Sequence, residues 1–244
     1  MTKVLVNGAR GRMGQEAVKA INNDSELTLV GEIDYQDDLT AKINEFKPDV
    51  VVDFTAASAG FANTQIILNA GARPVIGTSG FVEDQVAQLQ QLAKEKNLGG
   101  LIAPNFSVGA VLMMKFAAEA AKYLPDVEII EAHSPQKEES PSGTGIRTAE
   151  MINDARNAAA AIKTSDKELI EGARGADIGG VKLHSIRLPG VIAQQTVFFG
   201  GLSETLKIEH NSQHRESFMP GVVLACKQVV KHNELVYGLE HLMD

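Results

Sequence analysis

The sequence predicts an α/β protein, a parallel sheet with helices on both faces, followed by a smaller α+β unit. Three observations carry this. Up to residue 106, short apolar runs alternate with longer amphipathic ones, the pattern of strands joined by crossover helices. Past that point the alternation stops, and apolar runs are separated by short glycine-containing turns, as in antiparallel strands. Aromatic residues are only 5 % of the 244, with no tryptophan, so the core is built from Val, Ile, Leu and Ala.

Lys3–Asn7 reads as the first buried strand. It is followed by Gly8-Ala9-Arg10-Gly11-Arg12-Met13-Gly14 and a helical pattern through Ile21. Leu27–Ile33 is the second strand, ending at Asp34, and Asp38–Phe46 is helical. Pro48 precedes the third strand, residues 49–54. Ser58–Ala70 is a helix, Arg73–Gly77 the fourth strand, Val82–Asn97 a helix and Leu101–Ala103 the fifth strand. Right-handed crossovers are the default connection between such strands.

In the second part, Val108–Tyr123 is an apolar-rich helix stopped by Pro125. Val127–Ala132 is a strand, Thr144–Ala161 an alanine-rich helix, and Glu168–Gly180 a polar, glycine-rich loop or lid. Val181–Leu188, Val191–Phe199 and Glu204–Glu209 follow as consecutive strands, with turns at Pro189-Gly190 and Gly200-Gly201. Strands joined by such short turns run antiparallel. Phe218–Lys231 is a last helix, read as returning to the first domain. The expected division is 1–106 completed by 215–244, with 107–214 as the second domain.

Composition removes several classes. A net charge of −8 argues against a nucleic-acid partner, which needs a basic face. It does not argue against a small anion, which needs only local donors. No apolar stretch has the length of a membrane span. The single cysteine, Cys226, cannot form an internal disulfide and sits in an apolar helical pattern. With no secretory leader at the start, this points to a reducing, cytoplasmic setting. No metal site is expected.

Gly8, Gly11 and Gly14 follow the first strand at spacings of three, a variant of the dinucleotide fingerprint. The first glycine permits the tight turn, the second lets backbone approach a pyrophosphate at the helix N-terminus, and the third allows close helix–strand packing. Asp34 lies twenty residues past Gly14, where an acid grips a ribose hydroxyl. Tyr35 carries no charge, and selection of a 2′-phosphate normally uses a cation nearby. Asp34 therefore favours NADH, while Arg10 and Arg12 supply enough positive field for NADPH to be accepted too. Gly77-Thr78-Ser79 and Ala103-Pro104-Asn105-Phe106 fall at strand C-terminal ends, where open α/β sheets bind ligands. Small residues there let backbone amides reach a nicotinamide or a ribose.

The second part carries its own constellation: His133, Lys137 four residues on, and the turn Ser140-Pro141-Ser142-Gly143 opening a helix. An imidazole suits proton donation near neutral pH. Lys137 could stabilise a developing anion, donate a proton, or pair with a carboxylate. The amides of Gly143 and Thr144, with the hydroxyls of Ser142 and Thr144, could hold carboxylates at the helix N-terminus.

Several motifs occur in a telling order: Gly8-x-x-Gly11-Arg12-Met13-Gly14, Asp53-Phe54-Thr55, Gly77-Thr78-Ser79-Gly80-Phe81, Asn105-Phe106-Ser107-x-Gly109 and Lys137-x-x-x-Pro141-Ser142-Gly143-Thr144. Ser185–Gly190 and His210-x-x-x-x-Arg215-x-x-Phe218 continue the series. Together they resemble the 4-hydroxy-tetrahydrodipicolinate (dihydrodipicolinate) reductase family over almost the whole chain. The resemblance implies an N-terminal Rossmann domain completed by the C-terminal helix, and a middle domain that binds substrate and forms a homotetramer. It also implies NADH or NADPH as reductant, a small cyclic dicarboxylate substrate, and a place in lysine and diaminopimelate biosynthesis. His133 and Lys137 carry over as the catalytic pair. Ser134 stands where the family pattern has a second, substrate-binding histidine, and Gln194 where relatives often carry a histidine. Two rival readings share the glycine loop: another nicotinamide dehydrogenase, and a non-catalytic NAD(H)-binding sensor.

Overall fold

A computed structural model describes residues 1–78, 80–157, 161 and 167–243. The chain divides into two compact units, Met1–Val108 with Arg215–Asp244, and Gly109–His214.

In the first unit, β1 (Thr2–Asn7), β2 (Leu27–Ile33), β3 (Val50–Asp53), β4 (Arg73–Ile76) and β5 (Gly100–Ile102) alternate with α1 (Arg12–Asn22), α2 (Leu39–Phe46), α3 (Ala57–Asn69) and α4 (Glu83–Lys96). All pairings in this sheet are parallel. Consecutive residues such as Val4, Leu5 and Val6, or Val50, Val51 and Val52, are fully buried. Burial on both faces is what gives these strands continuous apolar runs instead of alternation. One core layer joins Leu5, Val51, Ile76 and Ile102 to Ile67, Leu68 and Leu89 from the helices.

The strand order, β2-β1-β3-β4-β5 and then β11 (Leu235–Tyr237), reverses direction at β1. Such a switch point leaves a crevice at the carboxyl ends of the central strands, and the glycine loop after β1 lies there. β11 was not expected from the sequence. Its three residues are too short to show a period, and it gains strand geometry by pairing with β5. The C-terminal segment enters through a short 3-10 turn (Arg215–Phe218) before α7 (Met219–Gln228). The expected single helix over Phe218–Lys231 thus has an α-helical centre and 3-10 ends.

The second unit holds α5 (Val108–Ala121), β6 (Asp126–His133), α6 (Gly143–Ala155), β7 (Ala176–Ile178), β8 (Val181–Arg187), β9 (Ala193–Gly201) and β10 (Glu204–Ser212). Its sheet order is β10-β9-β6-β8-β7. β8 and β9, expected as neighbours across Pro189-Gly190, are separated by β6. β6 pairs with β8 in parallel and with β9 antiparallel. Residues 188–192 therefore cross the carboxyl end of β6, where the Leu188 N–H donates to the His133 carbonyl at 3.0 Å. The hairpin between β9 and β10 is antiparallel as expected, but its turn is Leu202-Ser203, because Gly200 and Gly201, expected as the turn, are still paired with Thr205 and Glu204.

Two boundaries differ from the sequence reading. α6 stops at Ala155 because Arg156 is extended and its guanidinium is drawn to the carbonyls of Pro125 (3.1 Å) and Gly179 (2.8 Å). Residues 158–160, also expected as helix, lie outside the described residues. The loop expected over 168–180 includes β7, which pairs antiparallel with β8. Among the described residues no helix is long and apolar enough to cross a membrane.

Candidate active site

In the first unit the glycine loop is shaped by close backbone approach. Gly8 has φ +81°, a region that disfavours side chains, and a Cβ there would lie 2.8 Å from the Phe54 carbonyl oxygen. A Cβ on Gly14 would lie 2.0 Å from the Gly8 carbonyl oxygen. Gly8 and Ala9 both donate to the Ile33 carbonyl, at 2.9 and 3.1 Å, fastening the loop to the end of β2. α1 begins without a side-chain cap and without an acidic residue in its first turn. Its first amides have no acceptor inside the helix, and Arg10, Gly11 and Arg12 are exposed, with Met13 half-buried. This bare, electropositive helix start with no side chain in the way fits a dinucleotide pyrophosphate. Gly14→Ala is expected to destabilise the fold by about 1–3 kcal/mol and to abolish NADH binding, read as a lower melting midpoint that NADH no longer raises.

Asp34 closes the loop from the other side. Its carboxylate accepts the N–H of Tyr35 (2.8 Å) and of Arg10 (3.0 Å), and these bonds hold its pKa below the usual carboxylate range. It is ionised at neutral pH and keeps lone pairs for ribose hydroxyls. Tyr35 beside it is 83 % exposed.

Asp53, at the end of β3, is fully buried and accepts five hydrogen bonds. They come from the Asn7 side chain (2.9 Å), the Thr55 N–H (2.9 Å) and hydroxyl (2.6 Å), the Asn63 side chain (2.8 Å) and the Thr78 hydroxyl (3.1 Å). One carboxylate therefore joins the ends of β1 and β3, the helix α3 and the loop after β4. Thr78 is buried with its hydroxyl engaged in this network. Gly77 lies against Phe54, with a Cβ there only 2.1 Å from its ring, and Phe54 meets Phe106 edge to face at 5.7 Å. Ala103 and Phe106 are buried, Pro104 is exposed, and the Asn105 side chain accepts the Ser107 N–H at 2.7 Å. Ser79 lies outside the described residues.

In the second unit the strand alternation of β6 puts Glu131 and His133 on one face. Their register partners share that face: Ser185 and Arg187 on β8, Gln195 and Ala193 on β9. His133 Nδ1 is hydrogen-bonded to Glu131 Oε2. Arg187 Nη1 donates to Glu131 Oε1 at 2.9 Å. Glu131 is fully buried, which alone would push its pKa up. Hydrogen bonds from His133, Ser185 and Arg187 outweigh that and lower it to about 2. Glu131 is therefore a carboxylate at neutral pH, and with Nδ1 committed to it His133 presents Nε2.

The chain then turns, the Lys137 N–H donating to the Ser134 carbonyl at 3.1 Å. Lys137 Nζ lies 3.4 Å from a Glu139 carboxylate oxygen, and Ser134 is half-buried. α6 packs on the face that bears Glu131, since the Gln195 side chain donates to Thr148 at 2.7 Å. At its start, Gly143 is exposed and a Cβ there would meet nothing within 4 Å, leaving room for a ligand at the amides of Gly143 and Thr144. Ser142 is buried and its Oγ accepts the Gly145 N–H at 3.1 Å, so it caps the helix. Gln194 sits in register with Ala132 and not with His133. It lies on the opposite face and donates to Glu209 at 3.1 Å. Among the described residues no cluster of His, Cys, Asp or Glu could hold a metal ion.

Glu131, Arg187 and Asp53 were not singled out as site residues from the sequence. Glu131 left a signal, since acid and imidazole two apart on a strand share a face. The partners of Arg187 and Asp53 depend on register, which sequence does not display.

Residues 2–106 match the family description "Dihydrodipicolinate reductase, N-terminus", and residues 109–243 match "Dihydrodipicolinate reductase, C-terminus". The chain is 48 % identical to 4-hydroxy-tetrahydrodipicolinate reductase of Bacillus licheniformis over 99 % of this chain and 98 % of that one. It is 50 % identical to the enzyme of Legionella pneumophila (strain Lens) over 99 % of both. A solved structure described as dipicolinate-bound dihydrodipicolinate reductase from Paenisporosarcina sp. TG-14 superposes with a TM-score of 0.88 at 42 % identity, covering 100 % of both chains. Amine dehydrogenase from Mycobacterium smegmatis shares only the fold, at 14 % identity and a TM-score of 0.63. With both halves matched and relatives near half identical from end to end, the chain belongs to the dihydrodipicolinate reductase family.

Proposed function

We infer that this chain is an NAD(P)H-dependent oxidoreductase that reduces 4-hydroxy-tetrahydrodipicolinate to tetrahydrodipicolinate in lysine and diaminopimelate biosynthesis. The observation that carries the reading is in the second unit, where a carboxylate-tethered imidazole and an ammonium precede a roomy helix N-terminus in a chain otherwise near half identical to such reductases. The glycine loop (Gly8, Ala9, Arg10, Gly11, Arg12, Met13) and Asp34 hold the dinucleotide, with backbone from Gly77, Thr78 and Ala103–Phe106. The substrate's 4-hydroxyl leaves as water, on or off the enzyme, to give the conjugated dihydrodipicolinate ring, and a bound reduced nicotinamide would supply hydride to the electron-poor carbon of that ring. His133 then delivers the proton on Nε2 that neutralises the charge left on the ring. Lys137 either steadies that charge or pairs with a substrate carboxylate. The amides of Gly143 and Thr144 bind a carboxylate at the positive end of α6, and Ser134 borders the same turn.

The ionised Asp34 repels a 2′-phosphate, while Arg10 and Arg12 offset part of that repulsion. Both cofactors are expected to work, with kcat/KM favouring NADH by no more than about tenfold, or 1.4 kcal/mol. A strong NADPH preference would contradict this account of the β2 end. The sheet face of the second unit away from Glu131 exposes Phe198 and Ile186, and we place the contacts of a homotetramer there. We also place the enzyme in the cytoplasm, where the one cysteine, buried Cys226, stays reduced.

The test is NADH absorbance with freshly generated substrate. Stoichiometric NADH oxidation that depends on substrate supports the reading. Cofactor binding without turnover would instead favour a sensor, and turnover of a different carbonyl or imine substrate another dehydrogenase.

A further inference from the structure

Arg187 makes contacts that neither proton donation nor ligand binding requires of it directly. Nη1 donates to Glu131 Oε1 at 2.9 Å and to its neighbour's carbonyl, Ile186 O, at 2.8 Å. Nε donates to the Lys137 carbonyl at 3.3 Å and Nη2 to the Glu139 carbonyl at 2.7 Å. One guanidinium thus touches the carboxylate that holds His133 and the backbone that carries Lys137. Residue 187 is also the register partner of His133, and the next residue, Leu188, bonds the His133 carbonyl.

We propose that Arg187 is a positioning residue that sets His133 and Lys137 relative to each other, acting through Glu131 on one side and the 137–139 backbone on the other. This rests on the reductase reading for its catalytic consequence, but not for its structural one. A guanidinium is planar, with donors fixed in a fork, so it holds the Glu131 carboxylate and the Ile186, Lys137 and Glu139 carbonyls, four acceptors, at set angles. A lysine at 187 has one compact head and cannot span Glu131 and the carbonyls of Lys137 and Glu139. Without the brace, Glu131 keeps His133 and Ser185 as partners but loses one oxygen's donor, and the 137–139 turn loses its anchor to β8. Glu131 is then the second positioning residue. Its carboxylate accepts from Nδ1 and so holds the second ring proton on Nε2, where a substrate would take it.

The experiment compares the wild type, Arg187→Lys and Glu131→Gln in three measurements. Melting midpoint and NADH affinity report folding and the first unit. The nitrogen NMR signals of the His133 imidazole, assigned by their loss in His133→Gln, report its tautomer. Steady-state kinetics with freshly generated substrate separate kcat from KM. The proposal expects cooperative unfolding and unchanged NADH affinity in both variants, and altered His133 ring-nitrogen signals in both. It also expects kcat to fall by about a hundredfold in Arg187→Lys, the scale of a misplacement near one ångström. Wild-type His133 signals in Arg187→Lys, together with wild-type kcat, would overturn it. If the wild type itself does not turn over the substrate, the reductase reading fails, and the NMR comparison still decides whether Arg187 positions the imidazole. If Arg187→Lys fails to fold, Glu131→Gln with an unshifted His133 tautomer would still overturn the chain of contacts.

Discussion

His133→Gln is expected to lower kcat by about two to four orders of magnitude, the usual worth of a positioned general acid. NADH affinity should stay nearly unchanged. One ring nitrogen, Nδ1, is bound to Glu131, a carboxylate held ionised well below neutral pH. The other is the only atom of the side chain left to deliver a proton. Glutamine occupies similar space and can still hydrogen-bond, but it has no proton to give near neutral pH. The glycine loop and Asp34, proposed to hold the cofactor, belong to the other unit and are not altered by the substitution. Lys137→Ala should lower turnover by a comparable amount, and the split of its effect says which role it has. A fall in kcat at constant KM means the ammonium acts on developing charge, whereas a raised KM at constant kcat means it holds a carboxylate. Turnover like the wild type in His133→Gln would remove that residue from the chemistry.

Asp53→Ala should be the most damaging change to stability in the first unit, by about 3–5 kcal/mol. The carboxylate accepts five hydrogen bonds from four residues: Asn7 ending β1, Thr55 just past β3, Asn63 within α3 and Thr78 in the loop after β4. Removing it takes the acceptor from the buried Asn7 amide and Thr78 hydroxyl and from the half-buried Thr55 N–H and hydroxyl, while the Asn63 amide keeps Thr55 Oγ1 as a partner at 3.1 Å. Each unsatisfied donor costs about 1–3 kcal/mol, and water entering the vacated space recovers part of the sum. Asp53→Asn should fall between, because its own N–H₂ meets donors where acceptors are needed. Because Thr55 and Thr78 head the loops at the carboxyl ends of β3 and β4, NADH affinity should drop alongside the melting midpoint. A melting midpoint equal to the wild type in Asp53→Ala would mean the network contributes little.

Much of this was readable from residues alone, for physical reasons. Strands β3, β4 and β5 and most of β1 are buried on both faces, so they appear as short apolar runs punctuated by Gly, Pro and Asp. Gly8 and Gly14 announce themselves because nothing larger fits against Phe54 and the loop's own carbonyl. What escaped was information that lives in pairing. Pro189-Gly190 looks like a hairpin turn, yet β6 sits between the strands it joins, and local turn chemistry carries no trace of an inserted strand. β11 is three residues long and becomes a strand only beside β5. Ser142 has the composition of a ligand contact and the geometry of a cap. Gln194 and Gln195 are adjacent in sequence but face opposite sides, one toward Glu209 and the other toward α6. A departure at Gln194 therefore does not bear on the His133 face.

The most direct measurement is a crystal structure of the chain with NAD and dipicolinate bound together. The account predicts the pyrophosphate on the amides at the start of α1, one dicarboxylate arm on the amides of Gly143 and Thr144, and His133 Nε2 within hydrogen-bonding distance of the ligand ring or its substituents. A dipicolinate held elsewhere, with residues 133 and 137 turned to bulk water, would leave the reduction without its proton source and contradict the account.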